Sequence, residues 1–180
     1  SDCLDGDFGS VLQHRCAEGS LGKSALLYAE AVVQRHLGNY EKVDRFIAPS
    51  RFMAESVAHR IPAERIALLY NGVDMANSPD AGGDEGYALF LGRLSHEKGV
   101  ETLLRAHAAA GGRWPLVVAG GGPLLDDLKA QYRHATFTGH LSGAALQRTL
   151  AGAAVVVVPS EWYENCPMSV LEAMACGKPV

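Results

Sequence analysis

The chain has 180 residues, 48% of them hydrophobic and 20% charged, the balance of a soluble globular protein. Sixteen Lys and Arg against 20 Asp and Glu leave a net charge of −4 with no basic stripe, which argues against a nucleic-acid partner. No apolar run approaches the length needed to cross a bilayer and no secretory pattern opens the chain, so a cytoplasmic protein is expected.

The length suits one ordinary domain or two incomplete ones, and no internal repeat is visible. Cys3, Cys16, Cys166 and Cys176 form no CxxC pair and read as free thiols in a reducing compartment. A metal site from Cys3, Cys16 and His14 is the alternative for the first two.

Residues 1–22 are weakly patterned and read as irregular. From Lys23 to Leu37, apolar residues recur at helical spacing and Gly38 ends the run, so a helix is predicted there. Arg45–Ala48 reads as a strand, Ser50 as the N-cap of a helix through about Arg60, and Ile66–Tyr70 as the next strand. In Asn71-Gly72-Val73-Asp74, Gly72 is expected to serve a turn with positive φ. The turn-rich segment from Met75 to Gly86 has almost no apolar content and marks a domain boundary, with residues 77–86 as the linker.

Beyond it the alternation is regular. Strand 87–91 leads to helix 98–110, strand 116–119 to helix 123–132, strand 136–138 to helix 143–151, and strand 154–158 to helix 167–176. Lys178-Pro179-Val180 begins another strand. Such alternation implies an α/β fold with a Rossmann-like parallel sheet covered by helices on both faces, and ligands at the C-terminal ends of the strands.

The most informative stretch follows the last complete strand. Pro159 and Ser160 end it, and Pro167 is suited to the first helical position because its missing N–H costs nothing there. A loop carrying Glu161 to Cys166 therefore runs into a helix N-terminus near Met168, where free N–H groups and the helix dipole favour an anion. Glu164 and Glu172 flank that turn with seven residues between them. Carboxylates accept hydrogen bonds from hydroxyls, so a phosphate on the amides between them would place a ribose on one side and a hexose on the other. From spacing alone, a solvated loop charge and a first-turn dipole partner describe the two glutamates as well.

A second signal lies in Phe90-Leu-Gly-Arg-Leu-Ser-His-Glu-Lys-Gly-Val100. Gly92 lets the backbone approach a ligand past a strand end, and Arg93 and Lys98 could converge on one diphosphate; a solvated loop with a Glu97–Lys98 surface pair is the plain alternative. Ala119-Gly-Gly-Gly-Pro123 follows a strand, but Leu125 stands where a dinucleotide fingerprint needs its third glycine, so NAD is weakly supported. Gly120, Gly121 and Gly122 are candidates for donor approach, with a tight structural turn as the other reading. His96, His107 and His134 have no partners at ligand spacing, and the helix dipole accounts for Asp126 and Asp127.

Pro-Ser, a glutamate, seven residues, a second glutamate and Ala-Met-Ala-Cys-Gly-Lys-Pro-Val resemble the donor-site signature of retaining GT-B glycosyltransferases of family 4 (glycosyl transferases group 1). The resemblance implies that Glu164 contacts the transferred sugar and Glu172 the nucleotide ribose. It implies that Arg93 and Lys98 bind the donor pyrophosphate, making Arg93, Lys98 and Glu164 the catalytic candidates. Gly92, Gly121, Gly122, Thr138, His140, Leu141, Asn165, Cys166, Pro167, Met168, Ser169 and Glu172 are the corresponding donor-binding candidates, the backbone of Thr138 to Leu141 reading the base. The family's Gly-Phe-Gly after the first glutamate is replaced by Asn165-Cys166-Pro167-Met168. Asn71-Gly72-Val73-Asp74 matches the end of the family's first domain, where Asn71 borders the cleft.

The fold expected is GT-B-like. Residues 1–76 would be the end of an N-terminal acceptor domain, 77–86 a linker and 87–180 a truncated donor-binding domain. The expected function is transfer of a hexosyl group from a nucleoside diphosphate sugar with retention, needing no metal or other cofactor. The alternatives are a non-transferring nucleotide-sugar-binding protein or epimerase of the same fold and, more distantly, an NAD-dependent oxidoreductase. The expected partners are a nucleotide-sugar donor and an acceptor of unspecified class. Any peripheral membrane contact falls to the missing N-terminal part, and a fragment of this extent is expected to be inactive.

Overall fold

The structure, a computed structural model, describes residues 7–17, 19–74 and 83–180. The chain divides into two compact units between Tyr70 and Asn71. Of the linker expected at 77–86, residues 77–82 lie outside the described residues, as does Cys3 of the suggested metal site.

In the first unit, α1 (Ser10–Gln13) is a short helix where irregular chain was expected. Its entry is set by Ser10, whose buried hydroxyl donates to the Asp7 carbonyl at 2.8 Å. Helix α2 (Leu21–His36) begins at Ser20, whose hydroxyl accepts from the Lys23 N–H, and ends before Gly38 at φ 60°. Leu26, Leu27, Val32 and Val33 are exposed, and Ser24 is the buried position of that helix. Strands β1 (Phe46–Ala48) and β2 (Ile66–Leu68) pair in parallel, joined through α3 (Arg51–Val57), which Ser50 caps through the Met53 N–H at 3.2 Å. Both strands are shorter than expected, with pairing confined to three residues each.

The second unit is built on β3 (Tyr87–Leu91), β4 (Leu116–Ala119), β5 (Thr136–Gly139) and β6 (Ala153–Val156), all parallel, in the order β5-β4-β3-β6. The crossover helices are α4 (Val100–Ala109), α5 (Leu125–Gln131) and α6 (Gly143–Gly152), with α7 (Met168–Ala175) after β6. Alternate residues of the strands face opposite sides, so the unit has two cores. Phe90 and Val118 join Leu94, Val100, Leu104, Leu116, Leu128 and Tyr132 on the α4–α5 side. Leu89 and Ala119 join Leu150, Ala153, Val156, Ala173 and Cys176 on the α6–α7 side. Each fully buried leucine among them contributes about 1.5–3 kcal/mol. The near-continuous apolar composition of β3 and β6 follows from burial on both faces.

Several helix starts differ from expectation. Gly99, in the left-handed region at φ 64°, separates a 3₁₀ turn over His96–Lys98 from α4, so the α-helix begins at Val100 rather than Lys98. Helix α5 starts at Leu125 rather than Pro123, with Leu124 as its N-cap and the Leu124 N–H donating to the Leu94 carbonyl at 3.1 Å. Pro167 is the N-cap of α7 in an extended conformation rather than its first helical residue. Gly72 is not among the glycines with positive φ, and its Cβ position meets nothing within 4 Å, so the turn expected there is not formed. Lys178–Val180 is not a strand; Pro179 lacks an N–H for a ladder, and its carbonyl accepts one bond from Val156 at 2.9 Å.

Strand order matters for the site. From β3 the chain builds outward through β4 to β5, then α6 returns it to lay β6 on the other side of β3. The C-terminal ends of β3 and β6 therefore straddle the point where the winding reverses, the place in open α/β sheets where a crevice forms for a ligand.

Candidate functional site

A cavity of about 250 Å³ opens at that point. Its walls are Phe90–Arg93 and Lys98 beyond β3, Val157, Val158, Ser160 and Glu164 beyond β6, and Pro167, Met168, Ser169 and Glu172 at the start of α7. Arg93, Lys98, Glu164 and Glu172, drawn from two sequence segments, thus share one hollow.

Backbone contacts explain how the two loops come together. At Gly99 an added Cβ would lie 2.0 Å from the Pro159 carbonyl oxygen, so the turn before α4 lies directly against the end of the β6 segment. The Glu161 N–H donates to the Glu97 carbonyl at 3.0 Å, and the Thr102 hydroxyl donates to the Glu161 carboxylate. On the other side, the glycine turn after β4 is folded against the chain after β3. Gly120 meets the Gly92 carbonyl and Gly122 meets the Leu94 backbone, both closer than any Cβ could approach. The Leu94 N–H donates to the Gly121 carbonyl at 2.9 Å and the Gly92 N–H to Ala119 at 3.0 Å.

This clamp brings Lys98 to Glu164 across 66 positions of sequence. Lys98 Nζ donates to Glu164 Oε1 at 2.7 Å as an ion pair, and the Ser160 hydroxyl donates to the same oxygen. Burial pushes the Glu164 carboxyl up, but the Lys98 and Ser160 hydrogen bonds and the Lys98 charge outweigh it and hold the group below the usual carboxylate range. Glu172, without such donors, is pushed above that range by burial. Glu97, beside the cavity, is held low by the Ser95 hydroxyl at 2.6 Å and its own backbone N–H.

Chemically, the cavity offers a guanidinium, an ammonium and the start of α7, where Met168 and Ser169 precede the first N–H committed within the turn (Val170 to the Pro167 carbonyl at 3.1 Å), to one anionic group. Lys98 carries three donors and spends one on Glu164, so it can serve an anion and the carboxylate together. Glu164 and Glu172 supply acceptors for hydroxyl groups at either side.

The other expected donor-binding residues divide into two groups. Gly92, Pro167, Met168 and Ser169 line the cavity, whereas Gly121, Gly122, Thr138, His140, Leu141, Asn165 and Cys166 do not. Gly122 is explained by its approach to Leu94, which favours the structural reading of the glycine turn. The Cys166 carbonyl accepts a 3.4 Å bond from the Asn71 side chain. A second hollow of about 290 Å³ shares Met168 and Glu172 with the first and continues past Gly143, Leu146 and Gln147. His107 stacks on His134 with ring centroids 5.1 Å apart, a pairing that spacing does not reveal, and its Nε2 lies 2.7 Å from the Trp114 carbonyl oxygen. Among the described residues no three His, Cys, Asp or Glu side chains gather as a metal site. None of their helices is long and apolar enough to cross a membrane.

Sequence reasoning missed Ser160. The only signal was a hydroxyl four residues before Glu164 at a strand end, which strand-end chemistry explains without reference to the carboxylate.

Comparison with known proteins agrees with this architecture. The family profile described as Glycosyl transferases group 1 matches residues 74–180, and that of Glycosyltransferase Family 4 matches residues 17–77. An uncharacterized glycosyltransferase of Methanocaldococcus jannaschii is 31% identical over 96% of this chain and 53% of its own length. A GDP-mannose-dependent alpha-mannosyltransferase of Mycolicibacterium smegmatis is 39% identical over 81% of this chain and 40% of its own. The chain spans about half the length of the curated relatives it matches, or less. Among solved structures, Anabaena HepE in complex with UDP-glucose superposes with a TM-score of 0.65 at 21% identity, covering 76% of this chain and 44% of that one. The sucrose-phosphate synthase of Thermosynechococcus elongatus gives 0.65 at 25% identity over 94% of this chain and 47% of its own. With an α/β fold of the GT-B kind and a profile match over more than half its length, the chain belongs to the glycosyl transferases group 1 family.

Proposed function

We propose that the protein transfers a hexosyl group from a nucleoside diphosphate sugar to an acceptor with retention of configuration. The observation that carries this reading is the convergence of Arg93, Lys98, Glu164 and Glu172 with the start of α7 on one cavity at the sheet's switch point. Breaking the bond between the sugar and the diphosphate develops negative charge on the departing phosphate oxygen. In this reading Arg93, Lys98 and the amides near Met168 and Ser169, all lining the cavity, stabilise that charge, and such fixed donors commonly supply a large share of rate enhancement. In this reading the two cations do the work a metal ion would otherwise do at the leaving group.

Glu164, held ionised by Lys98 and Ser160, accepts from the sugar hydroxyls, and Glu172 accepts from the ribose. The hollow continuing past Glu172 toward Gln147 gives the nucleoside room beyond the ribose. Family membership and the UDP-glucose held by the Anabaena protein support a nucleotide-sugar donor. The residue set supports transfer over mere binding, because in this reading both cations act on the atom that gains charge. The test is calorimetric titration with UDP, GDP and ADP and their sugars, followed by turnover assays with the donors that bind. Binding of at least one diphosphate is expected, and weaker binding of its nucleoside; a protein that ignores all three is not a sugar-nucleotide enzyme.

A further inference from the structure

Glu164 is held from two directions, and both holds fall on the same atom. Lys98 Nζ and Ser160 Oγ each donate to Oε1, while no hydrogen bond among the described residues reaches Oε2. The two donors differ in what they can fix. A lysine ammonium at the end of four rotatable carbons supplies charge, but its donors turn freely and follow the carboxylate wherever it rotates. A serine hydroxyl turns its single hydrogen to suit the acceptor, but its oxygen sits on a one-carbon tether, so a pinned backbone keeps that oxygen within a short reach.

The backbone at Ser160 is pinned on both sides. Before it, the Pro159 carbonyl lies against Gly99. After it, Glu161 donates its N–H to Glu97 and accepts from Thr102 through its side chain. Ser160 itself lines the cavity with Glu164.

We infer that Ser160 is a positioning residue that sets the rotation of the Glu164 carboxylate, committing Oε1 to the protein and leaving Oε2 to accept from the donor sugar. The inference rests on the reading of Glu164 as the sugar-contacting residue. Without the hydroxyl, Glu164 keeps its charge partner but not its orientation. Misplacing one reactive contact by about 1 Å can cost on the order of 100-fold in rate, and a rotated carboxylate retaining one of its two tethers should cost about 10-fold or more. The pull of Ser160 on the charged form also disappears, so the Glu164 carboxyl becomes a weaker acid and titrates at higher pH.

The experiment uses Ser160→Ala and Ser160→Thr in the protein, with two readouts. One is carbon-13 NMR titration of the Glu164 side-chain carboxyl, assigned by its loss in Glu164→Gln. The charged groups around it are Lys98 in direct contact, Arg93 and Glu172 across the cavity, and Glu97 and Glu161 on the adjoining segment. Reading the carboxyl carbon itself separates its titration from theirs. The other readout is kcat for a sugar nucleotide alongside Kd for UDP and GDP. Ser160→Ala is expected to raise the Glu164 midpoint and lower kcat by about 10-fold or more with diphosphate affinity unchanged, and Ser160→Thr to restore both. An unmoved midpoint in Ser160→Ala, or losses that Ser160→Thr does not recover, overturns the assignment. A raised midpoint in a protein whose wild type transfers no sugar keeps the positioning role and overturns the proposed activity instead.

Discussion

Gly99→Ala tests the packing that assembles the cavity. Gly99 sits at φ 64°, where a side chain costs roughly 1–2 kcal/mol. The new Cβ would stand 2.0 Å from the Pro159 carbonyl oxygen and would have to withdraw by about 1.4 Å to reach ordinary contact near 3.4 Å. Its neighbour is backbone rather than a flexible side-chain end, so the strain moves the loop. A shift of that size stretches the 3.0 Å Glu161–Glu97 bond beyond about 4 Å, which forfeits a further ~1 kcal/mol. The expected loss is about 2–4 kcal/mol, seen as a fall of about 8–16 °C in the thermal midpoint of the unit holding residue 99. Gly121→Ala is the matched control. Its Cβ meets nothing within 4 Å and its φ lies outside the left-handed region, so its stability should stay within about 0.5 kcal/mol of wild type. Differential scanning calorimetry and urea denaturation measure both. Equal stability of the two variants refutes the argument that close contact at Gly99 holds the loops together.

The remaining predictions concern the charged groups. Arg93→Ala and Lys98→Ala should each weaken UDP or GDP binding by about 10- to 100-fold, the worth of one lost charge-assisted contact, and barely affect uridine or guanosine; equal losses for nucleotide and nucleoside would contradict the diphosphate role. Glu172 is raised above the ordinary carboxylate range, so its contribution to stability is intact below that range and is lost as pH rises through the raised value. Glu172→Gln should therefore be more stable than wild type at pH 7.5 and not at pH 4, by urea denaturation at both; a variant less stable at pH 7.5 defeats this. Glu164 is lowered, so its contribution is present above the ordinary range and lost as pH falls through the lowered value. Glu164→Gln should be less stable than wild type at pH 7.5 and converge with it in acid, and a constant difference at all pH values would show that the Lys98 and Ser160 contacts do not act through charge.

Much of the architecture was legible without coordinates because its signals are local. Strand β3 at 87–91 and β4 at 116–119 fall where their apolar runs put them, and Ser50 and Gly38 show the cap chemistry expected of them, whereas the Ser20 cap lies in a stretch read as irregular. Errors gathered where a distant partner overrides the local preference. The start of α4 slipped past Lys98 because Gly99 answers to Pro159, and the chain just before α5 is tied to Leu94 through the Leu124 N–H. Gly122, a candidate for donor approach, lies against the Leu94 backbone, a neighbour that no local pattern names.

The sequence alone determined the class of this protein: strand–helix alternation, two basic residues five apart and two glutamates separated by seven others are properties of neighbouring residues. Only the tertiary structure decided that those two sets meet. That outcome depends on α6 carrying the chain back across the sheet so that β6 pairs with β3, a choice of strand neighbour that no local periodicity encodes. The same holds for the Ser160 hydroxyl, whose single hydrogen finds its acceptor only once the loops on either side of it have been pinned.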